Sequence, residues 1–225
     1  MSGPSVSTDD SKQDYGTPWE LIDAVTKRFG PISFDLAAHA NNKKHPRYFA
    51  PEFFYEVGTA AELGLTSLEV LPDGVVKKRK DKKTGAIIFE RRVKNVDPEA
   101  YGIDAFKHEW WRLSDHFGEE HPSGRALLWD NCEWADVEPW AKKHKEEMSR
   151  GANSLLLTHV AISNWYADHI AGHADVYQCL GRMSFDGKNV YPKDCMLSHF
   201  HPGATGDLHL WDWRRDTILA TWKKK

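Results

Sequence analysis

Three apolar runs constrain this chain more than any other feature: ISFDL at residues 32–36, RALLW at 125–129 and SLLLTHV at 154–160. Each is short for a helix and too apolar for a strand with one wet face, so each reads as a buried strand. Helical patterns lie around them. Thr17, Pro18 and Glu20 make a start signal, a capping box with proline at the first helical position. Trp19, Ile22, Val25, Thr26 and Phe29 then follow at helical spacing until Gly30-Pro31 stops the run. Residues 136–149 set Val137, Trp140, Ala141, His144 and Met148 on one side of a second helix, which Gly151 ends. Residues 163–170 suggest a third helix, and 176–180, 195–200 and 217–222 supply further strands. Buried strands alternating with helices predict an α/β fold, a mostly parallel sheet with helices on both faces.

At 225 residues the chain fits one domain. Residues 1–13 are polar and read as a flexible tail rather than a signal peptide, which leaves 14–225 as the domain. An insertion spans about residues 63–98, where VVKKRKDKKTGAIIFERRVK holds two β-prone runs, 74–76 and 86–89, around a Lys/Gly-rich turn. This predicts a basic β-hairpin. The net charge is only -3, so contact with nucleic acid requires a local patch. Lys77, Lys78, Arg79, Lys80, Lys82 and Lys83, with Arg91 and Arg92 on the return arm, supply one; a solvated hairpin tip is the plainer alternative. Three cysteines without CxxC spacing argue for a reducing compartment and against a zinc site. No apolar run approaches the ~20 residues needed to span a bilayer, so a cytoplasmic protein without membrane contact is expected.

In open parallel sheets, ligands sit beyond the carboxyl ends of the strands. Asp35, the segment WDNCEW at residues 129–134, and Thr158-His159 all fall there. The histidines offer a rival, since His199 and His201 would share one face of a strand, with His159, His169 and His209 elsewhere. No carboxylate or cysteine stands at a recognised ligand spacing, and no metal is expected.

The motifs, taken in order, resemble a known family. TPWELIDAV is followed by FDLAA, then by RYFAPE, then by Gly102-Ile103-Asp104 with Trp110. NCEW precedes ADVEPW, and LLLTHVAISNWY and GRMSF follow. This order is similar to that of the phage-type DNA N-6-adenine methyltransferases, the Dam-like family, over roughly residues 14–60 and 100–200. The resemblance implies a Rossmann-like fold that uses S-adenosyl-L-methionine to methylate the exocyclic amino group of adenine in double-stranded DNA, in a host cytoplasm if phage-encoded. It implies Tyr15, Thr17, Pro18, Asp35, Ala37, Ala38 and Asp104 as cofactor contacts. Asp35 would meet the cofactor ammonium, and Asp104 the ribose.

The family's catalytic N-P-P-Y corresponds to Asn131-Cys132-Glu133-Trp134, which makes Asn131, Cys132 and Trp134 the implied catalytic residues. The amino nitrogen of adenine is a poor nucleophile because its lone pair is delocalised into the ring. An Asn side-chain oxygen and the next backbone carbonyl, accepting from its two hydrogens, would localise that pair toward the methyl group. The aromatic at the fourth position would stack on a base flipped from the duplex. Cys132 and Glu133 stand where the family has proline, so the φ restraint that stiffens the loop is lost. The alternative is an altered or inactive homologue that binds DNA or a nucleotide.

Overall fold

The three apolar runs lie side by side in one seven-stranded sheet. The computed structural model describes residues 16–63, 76–80, 84–134, 136–185 and 189–224. Helix α1 (Trp19–Phe29) leads into β1 (Ile32–Asp35), the short β2 (Phe49–Ala50), then β3 (Phe53–Gly58), β4 (Val76–Lys80) and β5 (Ile87–Lys94). Next come β6 (Gly102–Ile103), α2 (Trp110–His116), β7 (Leu127–Asp130), α3 (Val137–Ser149), β8 (Asn153–His159) and α4 (Asn164–His169). Strands β9 (Asp175–Cys179), β10 (Cys195–Phe200), β11 (Leu208–Asp212) and β12 (Thr217–Trp222) complete the chain.

The large sheet has the order β1-β7-β8-β10-β9-β11-β12. Strands β1, β7, β8, β9 and β11 run one way, while β10 and β12 run against them, so the sheet is mostly parallel as expected. Alternation along the strands sorts side chains between two cores. Leu127, Trp129, Leu155, Leu157 and Leu197 meet Leu21, Ile22 and Val25 of α1. On the opposite face Leu128 meets Trp110 and Leu113 of α2, and Leu156, Met196 and Phe200 meet Ala141 of α3 and the aromatics of α4. Leu155, Leu156 and Leu157 are all fully buried, which is why this run shows no alternation in sequence; each contributes about 2 kcal/mol of transfer free energy. Among the described residues no helix is long and apolar enough to cross a membrane.

Beside β1, the chain adds a narrow extension. Asp35 pairs with Tyr48 in an isolated parallel bridge, the Asp35 amide donates to the Arg47 carbonyl at 2.9 Å, and β2 pairs with β6. The hairpin expected in the insertion forms as antiparallel β4 and β5, but β5 also pairs with β3, which precedes the expected bounds, to make a three-stranded sheet β3-β5-β4. Its strands run further than the β-prone runs, because the basic residues from Lys77 to Lys80 lie within β4 rather than in the turn.

The start of α1 departs from expectation. The capping box does not form: the helix begins at Trp19, and the Pro18 carbonyl accepts from the amides of Leu21 and Ile22. The buried Thr17 hydroxyl has no partner among the described residues. The inward stripe is Leu21, Ile22, Ala24 and Val25, which leaves Trp19 57% exposed.

Candidate functional site

The parallel strands β1 and β7 end in two carboxylates, Asp35 and Asp130, on neighbouring strand tips. Both are buried. Asp35 accepts from the amide of Lys44 at 2.8 Å and from that of Ala37 at 3.3 Å, so it ties the loop after β1 back onto its own strand. Loss of water raises its pKa to about 7; those two amides oppose the rise and the nearby Asp130 adds to it.

That shift sets a pH dependence. The folded pKa lies above the usual carboxylate value, so the fold favours the protonated acid. The folded state then binds more protons between pH ~4 and ~7, and stability declines as pH rises through that window and is level above it. The contribution of this one group is on the order of 4 kcal/mol across the window. Denaturant midpoints measured across the window should therefore fall less in Asp35→Asn than in wild type. Parallel pH profiles for the two proteins would refute the assignment.

Asp130 is held from the other side of the sheet. Its Oδ2 lies 2.9 Å from His144 Nε2, and His144 Nδ1 lies 2.8 Å from Ser154 Oγ. All three residues are fully buried, so this relay anchors the strand tip and has no access to substrate. Asp130 Oδ1 has no hydrogen-bond partner of ordinary geometry among the described residues, and burial pushes this carboxyl above the usual range while His144 and the Cys132 amide pull it back. Nothing in the sequence pairs Asp130 with His144. The available signal is that His144 stands on the inner face of the predicted helix at 136–149, where a polar ring needs a partner.

The loop after β7 begins with Asn131, which is half-buried and whose side chain makes no hydrogen bond among the described residues. Cys132 turns inward beside Leu156, Ala141 and Ala37, and burial keeps its thiol protonated far above its ordinary value. It is a small apolar residue here, not a nucleophile. The side chain of Trp134 is committed. Its indole N–H donates to the Leu157 carbonyl at 3.0 Å, and its ring meets Tyr191 at 5.0 Å and Phe185 at 5.3 Å, both in T-shaped contacts. His159 is tilted against the same ring at 5.8 Å, and desolvation lowers its pKa.

Among the implied cofactor residues, Ala37 and Ala38 flank the Asp35 turn, with the Ala38 amide donating to the Phe49 carbonyl. Asp104 stands on the neighbouring strand, its amide donating to the Ala50 carbonyl at 2.8 Å, one residue from where Ala38 meets Phe49. It sits at the end of β6 with φ 62°, accepts from the Phe106 amide at 3.1 Å and lies 3.4 Å from Lys107, so it caps a short 3-10 turn. Thr17 and Pro18 line a cleft of about 940 Å³ together with Trp19, Lys44, Phe185 and Trp213. Tyr15 lies outside the described residues.

The basic patch is partly spent. Arg91 pairs with Glu56, and the Arg92 guanidinium lies 3.6 Å over the Phe53 ring. Lys80 is exposed, Lys77, Lys78 and Arg79 lie in β4, and Lys82 and Lys83 fall outside the described residues. Three of the five candidate histidines are likewise engaged, while His159 and His169 each keep a buried Nδ1 without a partner among the described residues. His199 Nε2 lies 2.8 Å from Asn153 Oδ1, His201 Nε2 lies 3.0 Å from Asp175 Oδ2, and His209 Nδ1 lies 2.9 Å from Thr221 Oγ1. Among the described residues, no group of three His, Cys, Asp or Glu side chains is placed to hold a metal ion. Against known proteins, no family model, no curated protein and no solved structure matches this chain.

Proposed function

We propose that this chain is an S-adenosyl-L-methionine-dependent methyltransferase acting on the amino group of adenine in DNA. The observation that supports it is Asn131. It follows directly on the carboxyl end of β7, between the tips of β1 and β8, and its amide has no partner among the described residues. A half-buried amide free to bind, next to two buried carboxylates at the end of a parallel sheet, fits a site that takes a polar nucleobase edge. Ala37 and Ala38 leave room beside Asp35 for the backbone to approach a cofactor, as the motif resemblance implies. Asp35 itself already accepts from two amides, so its part is to shape that turn.

A second reading, a homologue that binds nucleotide or DNA without transferring a methyl group, is favoured by Trp134. Base stacking would require this ring to leave the Leu157 carbonyl and its two aromatic neighbours. Incubating the protein with methyl-labelled cofactor and unmethylated DNA separates the two. The first reading expects label in adenine, identified after digestion to nucleosides as the amino-methylated base. Cofactor binding with no label in DNA would establish the second, and label confined to cytosine would overturn the first.

A further inference from the structure

Strands β9 and β10 are antiparallel neighbours, and their register pairs Tyr177 with Leu197 and Gln178 with Met196. One residue further, the same register sets Cys179, the last residue of β9, directly opposite Cys195, the first of β10. Residues directly opposite in an antiparallel pair send their side chains to one face, with Cα atoms about 4.5–5.5 Å apart. A disulfide spans about 4.4–6.8 Å between Cα atoms, so the two backbones already stand at bonding distance. Both thiols are free and lie in one apolar cluster, and a charge on Cys195 would oppose a charge on Cys179. The third cysteine, Cys132, packs on the opposite face of the sheet. The pair itself is buried, but it closes the ends of two strands, and Leu180 and Asp194 beside it are exposed. Strand ends open locally at lower cost than strand centres, so a small oxidant can reach the sulfurs without global unfolding. Burial keeps both thiols protonated, Cys195 with its pKa raised to about 12, so a bond between them forms slowly and answers sustained oxidant. The chain between them brings Phe185 and Tyr191 against Trp134, and the Tyr191 amide donates to the Met183 carbonyl at 2.7 Å. A bond at the foot of this loop would fasten the rings that hold Trp134.

We propose that Cys179 and Cys195 form a reversible cross-strand disulfide that fastens the loop between β9 and β10 under oxidising conditions. The oxidant is a peroxide. One cysteine sulfur attacks a peroxide oxygen to give a sulfenic acid and water, and the other sulfur then displaces the sulfenic hydroxyl as a second water. Two thiols lose two electrons, one peroxide gains them, and both thiol protons leave in the waters. A dithiol reductant reverses the step by exchange, so in a reducing compartment the bond is transient. It forms whether or not the chain transfers methyl groups. Incubating the full chain with hydrogen peroxide for hours, then titrating thiols in denaturant, should lower their number from three to one. Proteolysis without reduction should release one linked pair of peptides containing Cys179 and Cys195, lighter than the two separate peptides by two hydrogens. Dithiothreitol should restore all three thiols. Cys132→Ser should form the same bond, and Cys195→Ser should form none. The oxidised chain should melt about 5–10 °C above the reduced one, because the bond closes a loop of roughly fifteen residues in the unfolded state. Thiols that persist, that pass to sulfinic or sulfonic acids without linking, or that link through Cys132 or between chains would overturn the proposal. Mapping the unsubstituted chain decides this even where a serine variant fails to fold. An oxidised chain that melts no higher than the reduced one would overturn the fastening of the loop.

Discussion

Replacing His144 with alanine is expected to cost about 3–5 kcal/mol of folding free energy, a large part of the 5–15 kcal/mol typical of a native domain. The reason is the group left behind. His144 is the one side-chain hydrogen-bond partner of Asp130 among the described residues, so its loss leaves a fully buried carboxyl with only the Cys132 amide to offset the cost of burial. The ring also fills space: it stacks on Phe200 at 5.1 Å and meets Trp110 edge to face at 4.9 Å, so alanine leaves a void between two aromatics. Urea unfolding of His144→Ala measures the sum. The double variant His144→Ala with Asp130→Asn removes the stranded charge and keeps the void, so it should recover roughly half of the loss. A single-variant cost below ~1 kcal/mol, or no recovery in the double variant, would show that the pair does not hold the tip of β7.

That anchor bears on the candidate site because Asp130 is covalently next to Asn131. The chain holds its loop by burying the preceding residue in a side-chain network, where the family resemblance would supply prolines within the loop itself. Restraint on the loop therefore comes from the buried end of its strand. Cys132 adds to this by packing into the core beside Ala141 and Leu156.

What the sequence made legible follows from how each element is buried. Strand β8 was readable because its central leucines are covered on both faces, and β10 matched its expected bounds of Cys195–Phe200 for the same reason. Strand β11 was not expected. Only two of its five residues are buried, and LHLWD shows neither a continuous apolar run nor clean alternation. Helix α2 was also missed, since seven residues are too few to display a period, and its place is set by Trp110 packing under Leu128. In α1 the expected stripe holds at Ile22, Val25 and Phe29, but Leu21 and Ala24 also lie against the sheet, which turns Trp19 to solvent. At the site, the positions of Asp35 and Asn131 were legible because strand ends mark them. The commitments of Asp35 to its own turn, of Trp134 to Leu157 and of Asp130 to His144 were not, because each joins residues whose spacing carries no local signal.

On the proposed function, Asn131→Ala is expected to lower the rate of methyl transfer by about 10²–10³-fold, as loss of one hydrogen-bonding group aimed at developing charge does elsewhere. Transfer makes the adenine amino nitrogen tetrahedral and positive as the methyl arrives, so its hydrogens become stronger donors toward the transition state. An acceptor on those hydrogens therefore acts more on kcat than on substrate affinity. Cofactor affinity, measured by calorimetry with the demethylated product, should be unchanged, because the residues implied for the cofactor lie before α1, after β1 and at the end of β6. Stability should move by no more than ~0.5 kcal/mol, since Asn131 is half-buried and its side chain has no hydrogen bond among the described residues to lose. Asn131→Asp keeps an oxygen acceptor at the same reach and should retain part of the rate, although it adds a charge beside Asp35 and Asp130. Wild-type transfer by Asn131→Ala would remove this residue from the chemistry. Equal loss in the alanine and aspartate variants, with cofactor affinity intact, would mean that the amide acts as a donor to a ring nitrogen of the base instead of as an acceptor from its amino group.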